Sequence, residues 1–340
     1  MNIKKILNKS KLKFLVFRTD RIGDVILSLQ VAELLKKKFP ESLITFVVRK
    51  YTKPLFNSNP FIDQVWAIDE FSESEFLKFI RLKKFDISIA LYSTKLTAKL
   101  PFLANIPLRI GPMSKIYGLL YNMKIWQKRS RSLKNEAEYN NDLLKPLGIK
   151  EIAYPKLYLT KTEIAFGEKY FSGKHPIILH PGSGGSSKDW PLENYFKLGK
   201  KLKEKGLEIF FTGSKNELIT YSKIPEFMEE FDVSEIMKKG LDIRQFLAVI
   251  SQAKLFISNS TGPLHCASAL KVKTVSFYPN LKACKPLRWG PFAEDKDQNF
   301  IFTPDIHDCD RCQEDCDNSG CMEKIIVEAA FARVLLMLES

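Results

Sequence analysis

The stretch from Leu255 to Tyr278 places the strongest constraint on how this chain can fold. It predicts a buried strand at Leu255–Asn259, a tight turn, a short helix that opens on Pro263, and a second strand at Thr274–Tyr278. Proline suits the first position of a helix because its missing N–H would have no partner there. The turn therefore puts a helix N-terminus at the carboxyl end of a strand, where free N–H groups can bind phosphate. His265, in the first helical turn, could reach the same anion; the alternative is a strand–helix connection without a ligand.

Strands alternate with amphipathic helices along the rest of the chain as well. The first unit predicts a strand at Lys13–Phe17, a loop, and one helix at Asp24–Phe39 with apolar residues at helical spacing. This alternation predicts an α/β fold with parallel sheets covered by helices on both faces. Two such runs meet near residues 159–172, and 340 residues are enough for two cores. We therefore predict two Rossmann-like domains, at 1–165 and 166–321, followed by a C-terminal helix in 322–340.

The chain carries a formal net charge of +14, from 53 lysines and arginines against 39 aspartates and glutamates. Such an excess favours anionic partners, namely phosphorylated small molecules, an acidic lipid surface or nucleic acid. The lysines are dispersed along helices without a recognition motif, so we expect much of the charge on solvated faces and disfavour nucleic acid. No apolar run is long enough to cross a bilayer, and the basic N-terminus lacks a signal-peptide pattern. We expect a cytoplasmic protein.

A glycine-rich loop, Pro181–Asp189, follows a predicted strand. Its glycines stand at 182, 184 and 185, which fits neither the dinucleotide-binding spacing nor the P-loop spacing. A flexible loop of this kind can approach a ligand closely, and Lys188 offers a point charge for phosphate. The alternative is an ordinary surface lysine. Glu217 follows the next strand, where a carboxylate can hold ribose hydroxyls or can cap a helix.

Asp24 lies where the loop RTDRIGD enters the first long helix. A carboxylate at this position is expected to face the cleft between the two domains. It could act as a general base that takes a proton from an acceptor hydroxyl, which typically accelerates a reaction by about 10²–10⁴-fold. The alternative is a helix cap, since aspartate is favoured at helix N-termini.

Four cysteines are clustered near the C-terminus, and two others are isolated. The cluster, Cys309, Cys312, Cys316 and Cys321, offers soft ligands for a structural zinc ion or an iron–sulfur cluster. Its spacing matches no regular zinc knuckle, so reduced structural thiols are the alternative. A cytosolic setting argues against disulfides.

Short motifs recur along nearly the whole chain. They are Arg21-Ile-Gly-Asp24, Asn59-Pro60 with Asp63, Arg109-Ile-Gly111, His180-Pro-Gly182 with Lys188-Asp-Trp190-Pro191, Thr212-Gly213 with Glu217, Asn259-Ser-Thr-Gly-Pro-Leu-His265, and Arg288-Trp289-Gly290-Pro291 with the cysteine segment. In this order they resemble glycosyltransferase family 9, the ADP-heptose:lipopolysaccharide heptosyltransferases. No single motif decides the resemblance; the ordered series does.

The resemblance implies a GT-B fold, with two facing Rossmann-like domains and a final helix that packs back towards the first. The first domain would bind the acceptor and the second the nucleotide sugar. It implies inverting transfer of a heptose from ADP-heptose to an anionic lipid-linked core sugar, without a required cofactor. Asp24 would be the base, and Arg21 and Arg109 would contact the acceptor. The donor-binding residues it implies are Ser183, Lys188, Glu217, Ser260, Thr261, Gly262 and His265.

Ser260 departs from the family pattern, which usually has aspartate at this position. A serine hydroxyl can hydrogen-bond a sugar, but it loses a charge-assisted contact that is about twice as strong. This leaves two further hypotheses: a related transferase with a different nucleotide sugar, and a non-catalytic nucleotide- or lipid-binding homologue. An anionic lipid acceptor would also draw the basic chain to the cytoplasmic face of the inner membrane as a peripheral protein. The candidate contacts are Lys4, Lys5, Lys9, Lys11 and Lys13, unless that terminus is only solvated.

Overall fold

The computed structural model describes residues 3–113, 115–185, 188–231, 240–306 and 320–339. The chain divides into two compact units, Met1–Tyr158 and Leu159–Ser340. Each unit contains one fully parallel sheet with its own hydrophobic core. In both, the central strands are buried apart from Lys13 at the start of the first one, as expected of strands that helices cover on both faces.

The first unit has a six-stranded sheet in the order β3-β2-β1-β4-β5-β6. The strands are β1 Lys13–Phe17, β2 Leu43–Val48, β3 Gln64–Ala67, β4 Ile87–Ala90, β5 Leu108–Pro112 and β6 Met123–Ile125. The chain winds outward from β1 in one direction and then continues from β4 in the other. The strand order therefore reverses between β1 and β4, and in open α/β sheets ligands bind beyond the carboxyl ends of the strands at such a point.

In the described residues of this unit the α-helices are α1 Ile3–Leu7, α2 Ile22–Ile26, α3 Gln30–Lys38, α4 Glu73–Lys83, α5 Lys95–Leu103 and α6 Glu136–Asp142. Shorter 3₁₀ turns lie at Lys50–Phe56, Ile68–Glu70, Ile116–Leu120, Arg129–Arg131 and Lys145–Leu147.

The single helix predicted at Asp24–Phe39 is wrong, because the structure divides it into α2 and α3. The hydroxyl of Ser28 donates to the carbonyl of Val25 at 2.6 Å and competes with the helical ladder. The carbonyl of Leu27 accepts side-chain amides of Gln30 at 3.2 Å and Asn140 at 2.8 Å. Tertiary hydrogen bonds thus satisfy the groups that the break releases.

The second unit has a five-stranded sheet in the order β11-β10-β9-β7-β8. The strands are β7 Ile177–His180, β8 Ile209–Phe211, β9 Leu255–Asn259, β10 Thr274–Phe277 and β11 Asn299–Phe302. Here the strand order reverses between β7 and β9. The carboxyl ends of these two strands are therefore the expected ligand position in this unit.

Its α-helices are α7 Lys161–Tyr170, α8 Leu192–Glu204, α9 Lys215–Tyr221, α10 Pro225–Glu230, α11 Ile243–Ile250, α12 Gly262–Ala269, α13 Pro286–Trp289 and α14 Val327–Glu339. Two 3₁₀ turns lie at Lys282–Cys284 and Cys321–Lys324. The last helix packs on α8 of the same unit, and Lys273 donates to the carbonyl of Met337 at 3.1 Å. The predicted return of this helix towards the first domain stays a prediction, and so do the predicted roles of the two domains.

In the described parts of the chain no helix is long and apolar enough to span a membrane.

Candidate functional site

A buried arginine organises the carboxyl end of β1 in the first unit. Arg18 directly follows the strand, and its guanidinium is fully buried. It contacts three carboxylates: Asp20 at 2.8 Å through Nε, Asp24 at 2.5 Å through NH2, and Glu136 at 3.1 Å through NH1. Burial alone would lower the pKa of Arg18, but these carboxylates raise it, so the charge is retained.

The network continues from Arg18 into α6 and the segment before it. Glu136 lies between two guanidinium groups, since its Oε1 also accepts from Arg129 at 2.5 Å. Asn140 accepts a further hydrogen bond from Arg18 at 3.1 Å. The planar guanidinium supplies several donors in a fixed geometry, which an ammonium group cannot reproduce. Contacts with Glu136 and Asn140 of α6 therefore fix Arg18 in addition to its contact with Asp24.

Asp24 lies in the first turn of α2, at the switch point of the first sheet. Its Oδ1 is bound by Arg18, and its side chain is 18% exposed. The carboxylate is thus ordered without being sealed from solvent. In the neighbouring Asp20, burial raises the pKa to about 6 although Arg18 opposes this, and the charge of Asp24 raises it further. Both carboxylates share the guanidinium of Arg18.

Both residues that were predicted to contact the acceptor, Arg21 and Arg109, lie in the described part of the first unit. Arg21 is exposed and occupies the position just before α2. Arg109 is on β5, and its guanidinium donates to the carbonyl oxygens of Leu120 at 3.0 Å and Ile106 at 2.7 Å. Burial lowers the pKa of Arg109. These backbone contacts give Arg109 a structural task at the turn between β5 and β6, and an acceptor role stays a prediction.

In the second unit, Asn259 connects the carboxyl ends of β7 and β9. This fully buried side chain accepts from the backbone N–H of Trp190 at 2.8 Å and donates to the carbonyl of Pro181 at 2.5 Å. It therefore fixes both ends of the glycine-rich loop to the last residue of β9. The indole N–H of Trp190 anchors the same end by donating to Ile325 at 2.8 Å.

The helix N-terminus that the sequence predicts after β9 is present. Thr261 occupies the capping position of α12 in an extended conformation, and its side chain makes no capping hydrogen bond. His265 is buried in the same helix, and its Nδ1 has no hydrogen-bond partner among the described residues. Burial lowers the pKa of His265 to about 4, so the imidazole is neutral at pH 7. It can offer a ligand a hydrogen bond but no charge.

Gly182 and Glu217 are in close contact beside β7. A Cβ atom added to Gly182 would lie 2.6 Å from Oε2 of Glu217 and closer still to its Oε1 and Cδ. Glu217 also completes a capping box with Ser214, whose backbone N–H donates to Oε2 at 2.7 Å. Burial opposes ionisation, but hydrogen bonds from Ser214 and the nearby His180 bring the pKa of Glu217 below its ordinary value. The capping alternative for Glu217 is therefore observed, and a ribose contact stays a prediction.

The other predicted donor residues lie on the same two connections. Ser183 is buried near the start of the loop, and Lys188 is half-buried at its end. Ser260 follows β9, and its backbone N–H donates to the carbonyl of Phe277 at 3.2 Å. The Ser260 side chain is hydrogen-bonded to the buried Tyr278 hydroxyl, whose pKa is raised by burial. Gly262 begins α12 itself, so all these positions border one loop and one helix N-terminus.

The predicted metal site cannot be described as a unit. Cys309, Cys312 and Cys316 lie outside the described residues, and Cys321 is buried in the apolar core of the second unit. Within the described ranges, no group of three or more histidine, cysteine, aspartate or glutamate side chains could hold a metal ion.

Three residues hold the candidate sites together: Arg18 and Glu136, which the sequence did not single out, and Asn259, which it named only within a motif. Arg18 could have been suspected, because a charged residue directly after a buried strand needs partners. Glu136 is 118 residues further along the chain, and nothing in its local pattern connects it to β1.

Known proteins with similar sequences point to one family. A family model described as glycosyltransferase family 9 (heptosyltransferase) matches residues 74–317. A Haemophilus influenzae relative, provisionally named as a glycosyltransferase, is 31% identical over 310 residues, which cover 86% of this chain and 89% of the relative.

Two solved structures have a similar fold. A glycosyl transferase of family 9 from Veillonella parvula has a TM-score of 0.80 at 20% identity, covering 97% of this chain and 98% of that one. An E. coli structure described as ADP-heptose lps heptosyltransferase II has a TM-score of 0.77 at 20% identity, with 96% and 98% covered. The predicted α/β fold of the GT-B class, with two Rossmann-like units, is confirmed.

Proposed function

This chain belongs to glycosyltransferase family 9, and we propose that it transfers a heptose from ADP-heptose to a lipid-linked lipopolysaccharide core acceptor with inversion. Its class, a glycosyltransferase, follows from the family. The donor, the acceptor and the stereochemistry are our proposal. They are supported by the similarity to the E. coli ADP-heptose lps heptosyltransferase II and by the chemistry of the two switch points.

In inverting transfer the acceptor oxygen attacks the anomeric carbon, and the bond from that carbon to the diphosphate oxygen breaks. Its electron pair leaves on the diphosphate, and the acceptor hydroxyl gives up its proton. The enzyme has to accept this proton at one end and stabilise the new charge at the other. We assign the first task to Asp24 and the second to Lys188 with the helix N-terminus at Gly262.

The observation that carries the base assignment is the setting of Asp24. A base needs a fixed carboxylate that can still reach substrate. Asp24 has one oxygen bound to the buried Arg18, and it is partly exposed at the strand end where open sheets bind ligands. Arg18 also keeps a positive charge beside this carboxylate.

The donor assignment depends on the way in which Asn259 joins the loop to β9. Because residues 181 and 190 are both bound to Asn259, the loop between them starts and ends beside the strand that leads into α12. Lys188 then supplies a charge and the first turn of α12 supplies N–H donors for a diphosphate. The remaining donor contacts that we propose are Ser183, Glu217, Thr261 and the neutral His265.

The Asp24→Asn variant tests the base. We expect transfer to fall by about 10²–10⁴-fold while ADP affinity, measured by calorimetry, stays unchanged. Asparagine keeps the size and the hydrogen bond to Arg18 but cannot accept the proton. Activity within a factor of two of the parent would remove Asp24 from this role.

Lys188→Ala tests the donor end, with Lys197→Ala as its matched control. Both lysines are in the second unit, and Lys197 is exposed on α8. We expect ADP to bind about tenfold more weakly to the first variant, since a hydrogen bond between charged groups contributes about 1.5–3 kcal/mol. The control should bind as the parent does. Equal ADP affinities for the two variants would refute the assignment.

A second function, transfer from a different nucleotide sugar, is favoured by Ser260. Its hydroxyl is hydrogen-bonded to Tyr278, so it offers a sugar a neutral contact instead of a carboxylate. A screen of nucleotide sugars for protection against thermal unfolding distinguishes the donors. The strongest protection by ADP-heptose supports our first proposal, and the strongest protection by another sugar supports the second. Transfer or donor hydrolysis in the same preparation excludes a non-catalytic homologue.

We propose further that no cofactor is required and that the enzyme acts at the cytoplasmic face of the inner membrane, where a lipid-linked acceptor would be available. A structural metal at Cys309, Cys312, Cys316 and Cys321 is a separate question. Elemental analysis of the full chain decides it, because about one equivalent of zinc or iron supports the metal and under about one-tenth supports free thiols.

A further inference from the structure

The positive charge of this protein is concentrated in one stretch of the first unit. Between Asp86 and Glu136 the sequence contains nine lysines and arginines and no acidic residue. They are Lys95, Lys99, Arg109, Lys115, Lys124, Lys128, Arg129, Arg131 and Lys134. These 49 residues account for +9 of the net +14, so the other 291 residues carry only +5.

The structure places much of this charge at one edge of the first sheet. Strand β6 is the edge strand, and it pairs in parallel with β5, so that Gly111 is opposite Lys124. The segments that follow these two strands begin at their carboxyl ends. In a parallel sheet the carboxyl ends of all strands lie on the same side, so these segments start on the side of the sheet where β1 ends and where Arg18 and Asp24 lie.

Large apolar side chains are exposed among these basic residues. Trp126 is 80% exposed, Ile116 75%, Leu133 64% and Leu119 58%. Ile116 and Leu119 are three residues apart in a 3₁₀ turn, a spacing that aligns side chains on one face. We refer to eight residues together as the β6 surface: the four apolar residues Ile116, Leu119, Trp126 and Leu133, and the four basic residues Lys115, Lys124, Lys128 and Arg131.

The basic side chains of the β6 surface make no ion pair with a carboxylate in the part of the chain that the structure describes. Among the described residues, Lys124, Lys128 and Arg131 have no salt bridge, and the ammonium group of Lys115 lies over the ring of Tyr92 and donates to its hydroxyl. Other basic residues nearby are already paired, since Lys134 binds Asp142 at 2.7 Å and Lys99 binds Glu73 at 2.6 Å. Exposed tryptophan and aliphatic side chains with unpaired basic neighbours are typical of surfaces that enter the headgroup region of a bilayer.

Three ion pairs connect this surface to the proposed base. Arg129 lies between Lys128 and Arg131 in the chain, and it binds Glu136. Glu136 binds Arg18, and Arg18 binds Asp24. The β6 surface is therefore attached to the base through buried, charge-assisted contacts and not through a flexible linker.

We propose that the β6 surface docks the protein on an anionic lipid bilayer, with the basic side chains at the headgroups and Trp126, Ile116 and Leu119 inserted between them. The inference rests on the proposed function in one respect, since a lipid-linked acceptor gives the docking its purpose. In this proposal the β6 surface takes the place of the N-terminal lysines as the membrane contact. The docked face includes the sheet edge that carries Asp24, so the base stays near the lipid surface that would present the acceptor.

Vesicle sedimentation tests the proposal directly. The full chain is mixed with phosphatidylcholine vesicles with or without phosphatidylglycerol, and the bound fraction is measured without donor or acceptor. We expect binding only to the anionic vesicles. The triple variant Lys124→Glu, Lys128→Glu, Arg131→Glu should bind at least about 100-fold more weakly, because each basic residue near an anionic surface contributes about fivefold.

The matched control carries the same change of charge at the N-terminus, as Lys4→Glu, Lys5→Glu, Lys11→Glu. We expect it to bind the vesicles within about threefold of the parent, since the loss of charge alone is screened at a distance from the surface. If both triple variants lose binding equally, the proposal is overturned. If only the N-terminal variant loses binding, the membrane contact lies there instead.

Trp126→Phe provides a readout that does not depend on charge. Vesicles should shift the tryptophan emission of the parent to shorter wavelength and protect it from iodide, and both effects should be lost in this variant. A parent dimer that Trp126→Ser dissociates would assign the surface to a second copy of the chain and overturn the proposal. Asp24→Asn should bind vesicles as the parent does, so a failure of the proposed chemistry and a failure of docking give different results.

Discussion

The close approach of Gly182 to Glu217 leads to a sharp prediction about the donor end of the site. Gly182 has no positive φ, so alanine is compatible with its backbone. The added Cβ would nevertheless lie 2.6 Å from Oε2 of Glu217, against about 3.3 Å for an ordinary carbon–oxygen contact. The carboxylate must therefore move, and it would leave the hydrogen bond from the Ser214 N–H at 2.7 Å.

The free energy of this movement can be estimated from the contacts that are lost. A hydrogen bond to a charged group contributes about 1.5–3 kcal/mol, and a helix cap about 1 kcal/mol. We expect Gly182→Ala to lower the free energy of unfolding by about 2–4 kcal/mol. Glu217→Ala should lower it by about 1–2 kcal/mol, because the cap is lost without a clash. The double variant should resemble Glu217→Ala alone, since the carboxylate that meets the new methyl group is gone.

A double-mutant cycle measures this coupling. Urea unfolding at pH 7 gives the four stabilities, and calorimetry with ADP gives the four affinities. We expect a coupling energy of about 2–4 kcal/mol in stability, equal to the whole loss in Gly182→Ala, and equal ADP affinity for all three variants, each below the parent. If the losses of the two single variants simply add in the double variant, the clash with Glu217 is not the reason that position 182 is glycine. An unchanged ADP affinity in all three would remove Glu217 from the donor site.

Three other predictions concern charge. Arg18→Lys should slow transfer at least about tenfold, because an ammonium group cannot contact Asp24 and Glu136 together. The control Arg129→Lys alters a contact to the same carboxylate of Glu136 but none to Asp24, so it should retain transfer. Equal transfer rates for the two variants would refute the role of Arg18. His265 has a pKa near 4 in the folded state, so the unfolded chain binds more protons between about pH 6.5 and 4, and stability falls by about 3 kcal/mol as the pH drops through that window. His265→Asn should lose this part of the slope, and an unchanged slope in urea unfolding at several pH values would contradict it. Chelation of divalent cations with EDTA should leave the transfer rate unchanged, since Lys188 and a helix N-terminus are proposed to hold the diphosphate, and a rate restored only by added magnesium would contradict that.

The parts of the fold that are set by local hydrophobic pattern could be predicted closely. The bounds of β1, β2 and β9 agree with the sequence pattern at both ends, because these strands are mostly apolar runs next to turn residues. The helix N-terminus at Gly262 was equally predictable, because the glycine and proline that start it are themselves the local signal. The pattern between Pro112 and Arg131 is irregular, and the short strand β6 within it depends on pairing with β5.

The sites depend on contacts that the local pattern does not contain. The sequence pointed to Asp24 through its position at a helix start, whereas Arg18, which holds it, is paired with Glu136 from a helix far along the chain. Asn259 was noticed only as part of a motif, yet its two hydrogen bonds fix the loop that contains Lys188. Residues of this kind are found by asking where a buried polar group has its partners, and this requires the tertiary structure.

The charge of the chain shows how parallel topology converts a sequence property into a property of a site. The lysines along the helices suggested a dispersed charge. The electrostatic field near a site depends, however, on the local net charge, and this is high between Asp86 and Glu136 because that segment has no aspartate or glutamate. Lys95 follows β4, Lys115 follows β5 and Lys128 follows β6. Because all these strands are parallel to β1, each connection delivers its basic residue to the sheet edge that carries Asp24. A run of basic connections in sequence thus becomes a positive field at the edge where the proposed base would meet an anionic acceptor.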